Sequence, residues 1–93
     1  MKTYELVCAF HMKEGQDVAG IEAVKKILTD AKATIKSEED MGDRELAYPI
    51  DKETRGRYRL FNTELDQKKL PKIEDALKLR KEILRYLFVV IGD

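Results

Sequence analysis

Lys52, Arg55, Arg57 and Arg59 fall within eight residues, enclose Tyr58 and are opposed by Glu53 alone. Guanidinium and ammonium groups beside a phenol ring can grip phosphate while the ring stacks on a base, which is RNA-binding chemistry. A charged turn running into a strand edge accounts for the same residues equally well, so the stretch alone is a weak signal. Just upstream the sign reverses: residues 37–45 carry Glu38, Glu39, Asp40, Asp43 and Glu45 against Arg44. Such a cluster suggests a metal only if its carboxylates converge. Consecutive strand residues alternate faces, so a solvated strand edge that resists unwanted pairing is the better reading.

Other chemistry is thin. His11 is the one histidine; in a loop without a positioned partner it reads as solvated rather than catalytic. Cys8 alternates with apolar residues on a strand and reads as a small buried hydrophobe rather than a reactive thiolate. One Cys and one His cannot make a structural zinc site, and the five glycines have no phosphate-cradling spacing. No nucleophile–base set stands out. The residues point to a protein that is not an enzyme and uses no cofactor or metal.

The totals set the frame. A chain of 93 residues predicts a single domain spanning 1–93. Lys and Arg number 18, Asp and Glu 18, so general attraction to nucleic acid cannot come from net charge. A single cysteine excludes an intramolecular disulfide and fits a reducing, cytosolic compartment. No apolar signal region opens the chain, and the apolar run from Tyr86 to Ile91 falls far short of the roughly 20 residues a spanning helix needs. No membrane partner is expected.

Periodicity supplies the elements. In residues 3–10, Tyr4, Leu6, Cys8 and Phe10 share one strand face. Asp17 is placed to cap a helix of about four turns whose apolar side is Val18, Ile21, Val24, Ile27, Leu28 and Ala31. A long second strand follows from residue 34, bulged at Gly42 and ending in LAYPI, where Pro49 holds Tyr48 extended and cannot donate to a ladder. DKETRG reads as the turn, with Gly56 supplying a positive φ. RYRLFNTEL is a third strand, with Phe61, Thr63 and Leu65 on one face and Tyr58, Leu60 and Asn62 on the other. Leu70, Ile73, Ala76 and Leu77 mark a second helix, with Pro71 in its first turn and Leu79 near its end. YLFVVI is the fourth strand.

The order β-α-β-β-α-β predicts an α+β, ferredoxin-like split β-α-β fold: a four-stranded antiparallel sheet with two helices on one face. The face without helices should be polar at alternate positions, yet Val7, Ala9, Leu60, Leu87, Val89 and Ile91 fall there. An apolar patch across several strands predicts a partner-binding surface.

The stretch GDRELAYPIDK, Gly42 to Lys52, followed by a glycine and RYRLF, resembles the most recognisable segment of the bacterial small-subunit ribosomal protein six family (S-six), which reads G-x-R-x-L-A-Y-P-I. Lys2, Tyr4 and Glu5 resemble the family's K-x-Y-E opening, and LKLRKEILRYLFV resembles its ending, with Arg85 at the arginine position. Met41 stands where the family often has an aromatic. The resemblance covers nearly the whole chain. It implies a structural protein of the small ribosomal subunit in the cytoplasm, with ribosomal protein S-eighteen and the central domain of small-subunit ribosomal RNA, at the platform, as partners. It further implies RNA contacts at Lys2, Arg44, Lys52, Arg57 and Arg85, with Arg55 and Tyr48 beside them. The rival reading is a stand-alone ferredoxin-like homodimer binding a small metabolite, which the fold alone would permit. The known RNP motifs of RNA recognition are missing from the strands.

Overall fold

The computed structural model describes residues 1–92. Four strands, β1 (Lys2–Phe10), β2 (Thr34–Ile50), β3 (Glu53–Leu65) and β4 (Ile83–Gly92), form one antiparallel sheet in the order β2-β3-β1-β4. Helices α1 (Gln16–Asp30) and α2 (Leu70–Lys78) pack on the same face, giving the split β-α-β arrangement that the element order predicts.

Strand parity explains the core. Tyr4, Leu6, Cys8 and Phe10 of β1 alternate toward the helices, as do Phe61 and Leu65 of β3, and all are buried. They meet Val24 and Leu28 of α1 and Ile73 and Leu77 of α2, which recur at helical spacing. Thr63 is the polar exception inside; its hydroxyl donates to the Thr34 carbonyl at 2.9 Å, so it is buried without an unmet donor.

Several local expectations shift. Helix α1 starts one residue before Asp17, after Gly15 in the left-handed region at φ 79°; Asp17 sits in the first turn, where its charge suits the helix dipole, without capping it. Val18, assigned above to the apolar side, is exposed on that first turn, before the helix reaches the sheet. Pro71 does fall in the first turn of α2, where its missing N–H is not needed, while Leu79 lies just past the helix end and is exposed.

The connection between β2 and β3 is tighter than the six-residue turn expected. Asp51 (φ 50°) and Lys52 (φ 65°) alone make it, and Ile50 pairs directly with Glu53. Gly56 is not a turn residue: it lies within β3 opposite Arg44 and is buried. A Cβ there would stand 3.2 Å from Leu84 Cδ1 and 3.4 Å from the Phe10 carbonyl oxygen, so this glycine permits close approach. Gly42 is the bulge its position suggested, at φ 84° beside a register shift between Asp40 and Gly42. Its N–H donates to Asp40 Oδ1 at 2.9 Å.

Candidate RNA and partner surfaces

The basic stretch of β3 and the acidic stretch of β2 are neighbours, and they neutralise each other. Arg59 donates to Glu38 Oε1 from Nε at 3.1 Å and from Nη2 at 2.8 Å. Arg57 donates to both carboxylate oxygens of Asp40, with Nε 3.1 Å from Oδ1. Arg55 Nε stands 2.9 Å from Asp43 Oδ1. The pairs are diagonal: the backbone partners of Arg55, Arg57 and Arg59 are Glu45, Asp43 and Asp40, and each guanidinium reaches past its partner to an acid two or three residues further back along β2. Lys25 of α1 closes the end of this ladder, with Nζ 2.9 Å from Glu38 Oε2.

The electrostatics follow. Partial burial pushes the Glu38 carboxyl up, but hydrogen bonds from Arg59 and Lys25 outweigh it and hold the group below its ordinary range. The Arg57 fork, with the Gly42 N–H, holds Asp40 down, and Asp40 in turn raises Arg57. Two of the arginines implied as RNA contacts, Arg55 and Arg57, are therefore already engaged inside the chain. Tyr58 does not join them, because it alternates to the other face of the sheet with Leu60.

The remaining implied contacts are placed differently. Among the described residues, no carboxylate lies within ion-pair distance of Lys2, Arg44, Lys52 or Arg85. Arg44 is exposed and donates from Nε to the Met41 carbonyl at 3.1 Å. It pairs with Gly56 in the sheet, and Arg85 pairs with Ala9, so both belong to one end of the helix-free face. Lys52 is at the tip of the β2–β3 hairpin, and Tyr48, which is 60% exposed, lines a surface cleft with Lys78, Ile83, Leu84 and Arg85. Lys2 stands apart: it opens β1 opposite Leu65, eight residues along the strand from Phe10, or roughly 26 Å at the usual rise. Four of the implied residues thus gather at one end, Lys2 lies at the other, and Arg55 and Arg57 are tied up between β2 and β3.

His11 also departs from the solvated loop expected. Its side chain is only 13% exposed, Nε2 is 3.6 Å from Asp51 Oδ2, and its backbone N–H donates to the Glu82 carbonyl at 2.9 Å. Together with an ion pair between Lys13 and Glu53 at 3.3 Å, this holds the hairpin tip against the segment after β1. Cys8 is buried, and burial pushes its thiol up to about 12, which leaves it inert at neutral pH.

The helix-free face presents Leu87, Val89 and Ile91 at 53%, 41% and 49% exposure, with Val7 and Leu60 half-buried beside them. Ala9 is the exception among the residues assigned to this surface. It is covered within the chain, at the floor of a shallow depression walled by Val7, Tyr58, Arg85 and Leu87, because its single methyl cannot rise past these longer neighbours. Val90, which sequence reasoning passed over, turns toward the helix side yet is 55% exposed. The apolar character of β4 on both faces was the available signal. The same face carries one unmet polar group: Asn62 Oδ1, on a residue paired with Glu5 and Ser37, is buried without a hydrogen-bond partner among the described residues.

Among the described residues, no helix is long and apolar enough to cross a membrane, and no group of acids, His and Cys is arranged to hold a metal. The family model for ribosomal protein S6 matches residues 3–90. A small ribosomal subunit protein bS6 from Treponema denticola is 46% identical over 93 residues, covering 100% of both chains. The bS6 of Treponema pallidum (strain Nichols) is 40% identical over the same span, again covering 100% of each. A crystal structure of 30S ribosomal protein S6 from Thermotoga maritima superposes with a TM-score of 0.86 at 28% identity, covering 97% of this chain and 87% of that one. Sequence, fold and element order agree: the chain belongs to the ribosomal protein S6 family, structural proteins of the small ribosomal subunit and not enzymes.

Proposed function

We propose that the chain binds the central domain of small-subunit ribosomal RNA at the platform as a pair with ribosomal protein S-eighteen, using two adjoining surfaces. The partner takes the apolar helix-free face formed by Val7, Leu60, Leu87, Val89 and Ile91. The RNA takes the neighbouring end, where Arg44, Lys52, Arg85 and Tyr48 supply phosphate contacts and a ring for stacking. Lys2 makes a separate contact at the far end of the sheet.

The observation that carries this reading is the division of the cations. Arg55, Arg57 and Arg59 are matched by acids within the chain, whereas Arg44, Lys52 and Arg85 lie at one end without one among the described residues, next to an exposed apolar face. Zero net charge makes the counterion-release contribution small, so a basic partner is needed to supply the rest. The test is a titration of a central-domain RNA fragment at fixed salt, with and without S-eighteen. Weak binding alone and much tighter binding with the partner is the expected result. Equal affinity in both arms overturns the paired mechanism.

A further inference from the structure

The ladder between β2 and β3 is more systematic than stability requires. The Arg55–Asp43 and Arg57–Asp40 side chains are 37–51% exposed, and exposed ion pairs contribute only about 0–1 kcal/mol each. Protection of an edge strand needs charge of either sign, not an acid set against each arginine in turn. What the arrangement achieves is occupancy. A guanidinium fork takes a carboxylate and a phosphate in the same two-pronged geometry, so an acid held on the next strand competes directly with an RNA phosphate. The internal acid has the advantage, since tethering gives it a high effective concentration.

We propose that Glu38, Asp40 and Asp43 are specificity-determining residues, carboxylate stand-ins for phosphate that withhold Arg59, Arg57 and Arg55 from RNA and confine contact to the cations without an acid. The three arginines occupy alternate positions of one strand, roughly 6.5–7 Å apart at the usual rise. Unmasked, that row would track the backbone of any single strand regardless of sequence. Masked, it leaves the group at Arg44, Lys52 and Arg85 to engage a site of the right shape. Lys25 reinforces the mask from α1 by fixing Glu38 in place. The lowered Glu38 and Asp40 carboxyls are consistent with acids held in their charged, arginine-bound form.

The inference rests on the RNA-binding reading above, and the experiment separates the two. The probe is polyuridylic acid, a single strand without a structured site, titrated against salt. The ladder variant carries Glu38→Gln, Asp40→Asn and Asp43→Asn. A control with the same change in charge carries Glu14→Gln, Glu22→Gln and Asp75→Asn, exposed acids outside the ion pairs described. Freeing three arginines should steepen the slope of log affinity against log salt by about 2 (about 0.7 per phosphate contact on a single strand), well beyond any change in the control. Matching slopes and affinities in the two variants overturn the proposal, because bulk charge then explains everything. Circular dichroism checks folding; if the ladder variant is unfolded, Asp40→Asn alone decides, with an expected steepening of about 0.7. The wild-type chain with S-eighteen on the central-domain fragment is the parallel arm. Failure there sinks the proposed function and leaves the polyuridylic acid result to judge the mask.

Discussion

Gly20 of α1 packs against the ring of Phe10 of β1, so close that a Cβ in its place would overlap Cδ1 and stand 2.9 Å from Cε1 and 3.1 Å from Glu82 Cβ. The Phe10 ring is fully buried and has nowhere to retreat. Gly20→Ala should therefore destabilise the fold even though alanine favours helix by about 1 kcal/mol, since overpacking a core typically costs about 1–3 kcal/mol. Thermal melts should show a lower midpoint, and the double variant Gly20→Ala, Phe10→Leu should recover part of the loss. An unchanged or higher midpoint for Gly20→Ala would show that the helix can move off the sheet at no cost.

The division of cations makes single substitutions unequal. Arg44→Ala and Arg85→Ala should each weaken assembly with S-eighteen onto central-domain RNA and flatten the salt slope by about 0.7–0.9. Arg57→Ala, whose fork is filled by Asp40, should leave the slope almost unchanged. A larger effect from Arg57 than from Arg85 would place the RNA on the β2–β3 ladder instead.

Val89 is exposed and turned from the helices, so Val89→Asp should leave the melt within about 0.5 kcal/mol of wild type, as surface substitutions usually do. Co-sedimentation with S-eighteen should be lost. Retained pairing at unchanged affinity would remove the helix-free face from the interface.

Within LAYPI the two halves should separate. Leu46 is buried, at 6% exposure, and Leu46→Ala should cost about 2 kcal/mol or more. Tyr48→Ala should barely alter stability while weakening RNA binding, because the ring is largely in solvent. Chemical denaturation and RNA titration of the same two proteins read both effects. Equal stability losses would make Tyr48 a packing residue.

Acid should weaken the fold in a defined window. Glu38, Glu82 and Asp40 are held below their ordinary values of 4.5, 4.5 and 3.8, so the stability they contribute is complete above those values and lost as pH falls through the lower folded ones. Melting midpoints measured from pH 6 to pH 3 should fall, and Glu38→Gln should flatten that fall. An identical pH profile for the variant would mean that the Arg59 and Lys25 contacts do not persist in solution.

What could be read from the chain was what alternation encodes. Tyr4, Leu6, Cys8 and Phe10 declare their face by period, as do Phe61 and Leu65, and from these the sheet and its helical side follow. The ladder was hidden for the opposite reason. Acidic and basic stretches are visible as runs, but which acid meets which arginine depends on register, and the Gly42 bulge shifts that register by a residue. The turn was misplaced because glycine is the usual sign of a positive φ, whereas Asp51 and Lys52 adopt it here without one. Ala9 shows a further limit: parity assigns a face, but the size of neighbouring side chains decides whether a small residue on it can be touched.

Cys8 gives the molecule a built-in clock. It lies on β1, the strand hydrogen-bonded on both sides by β3 and β4, and its sulfur is sealed under the helices. Fraying at a sheet edge does not reach it, so a thiol reagent can label this single position only when the central strand comes free. The rate of labelling in native buffer therefore counts whole-molecule openings. It does so without an introduced probe, and it would register directly how far binding RNA or a protein partner lengthens the interval between them.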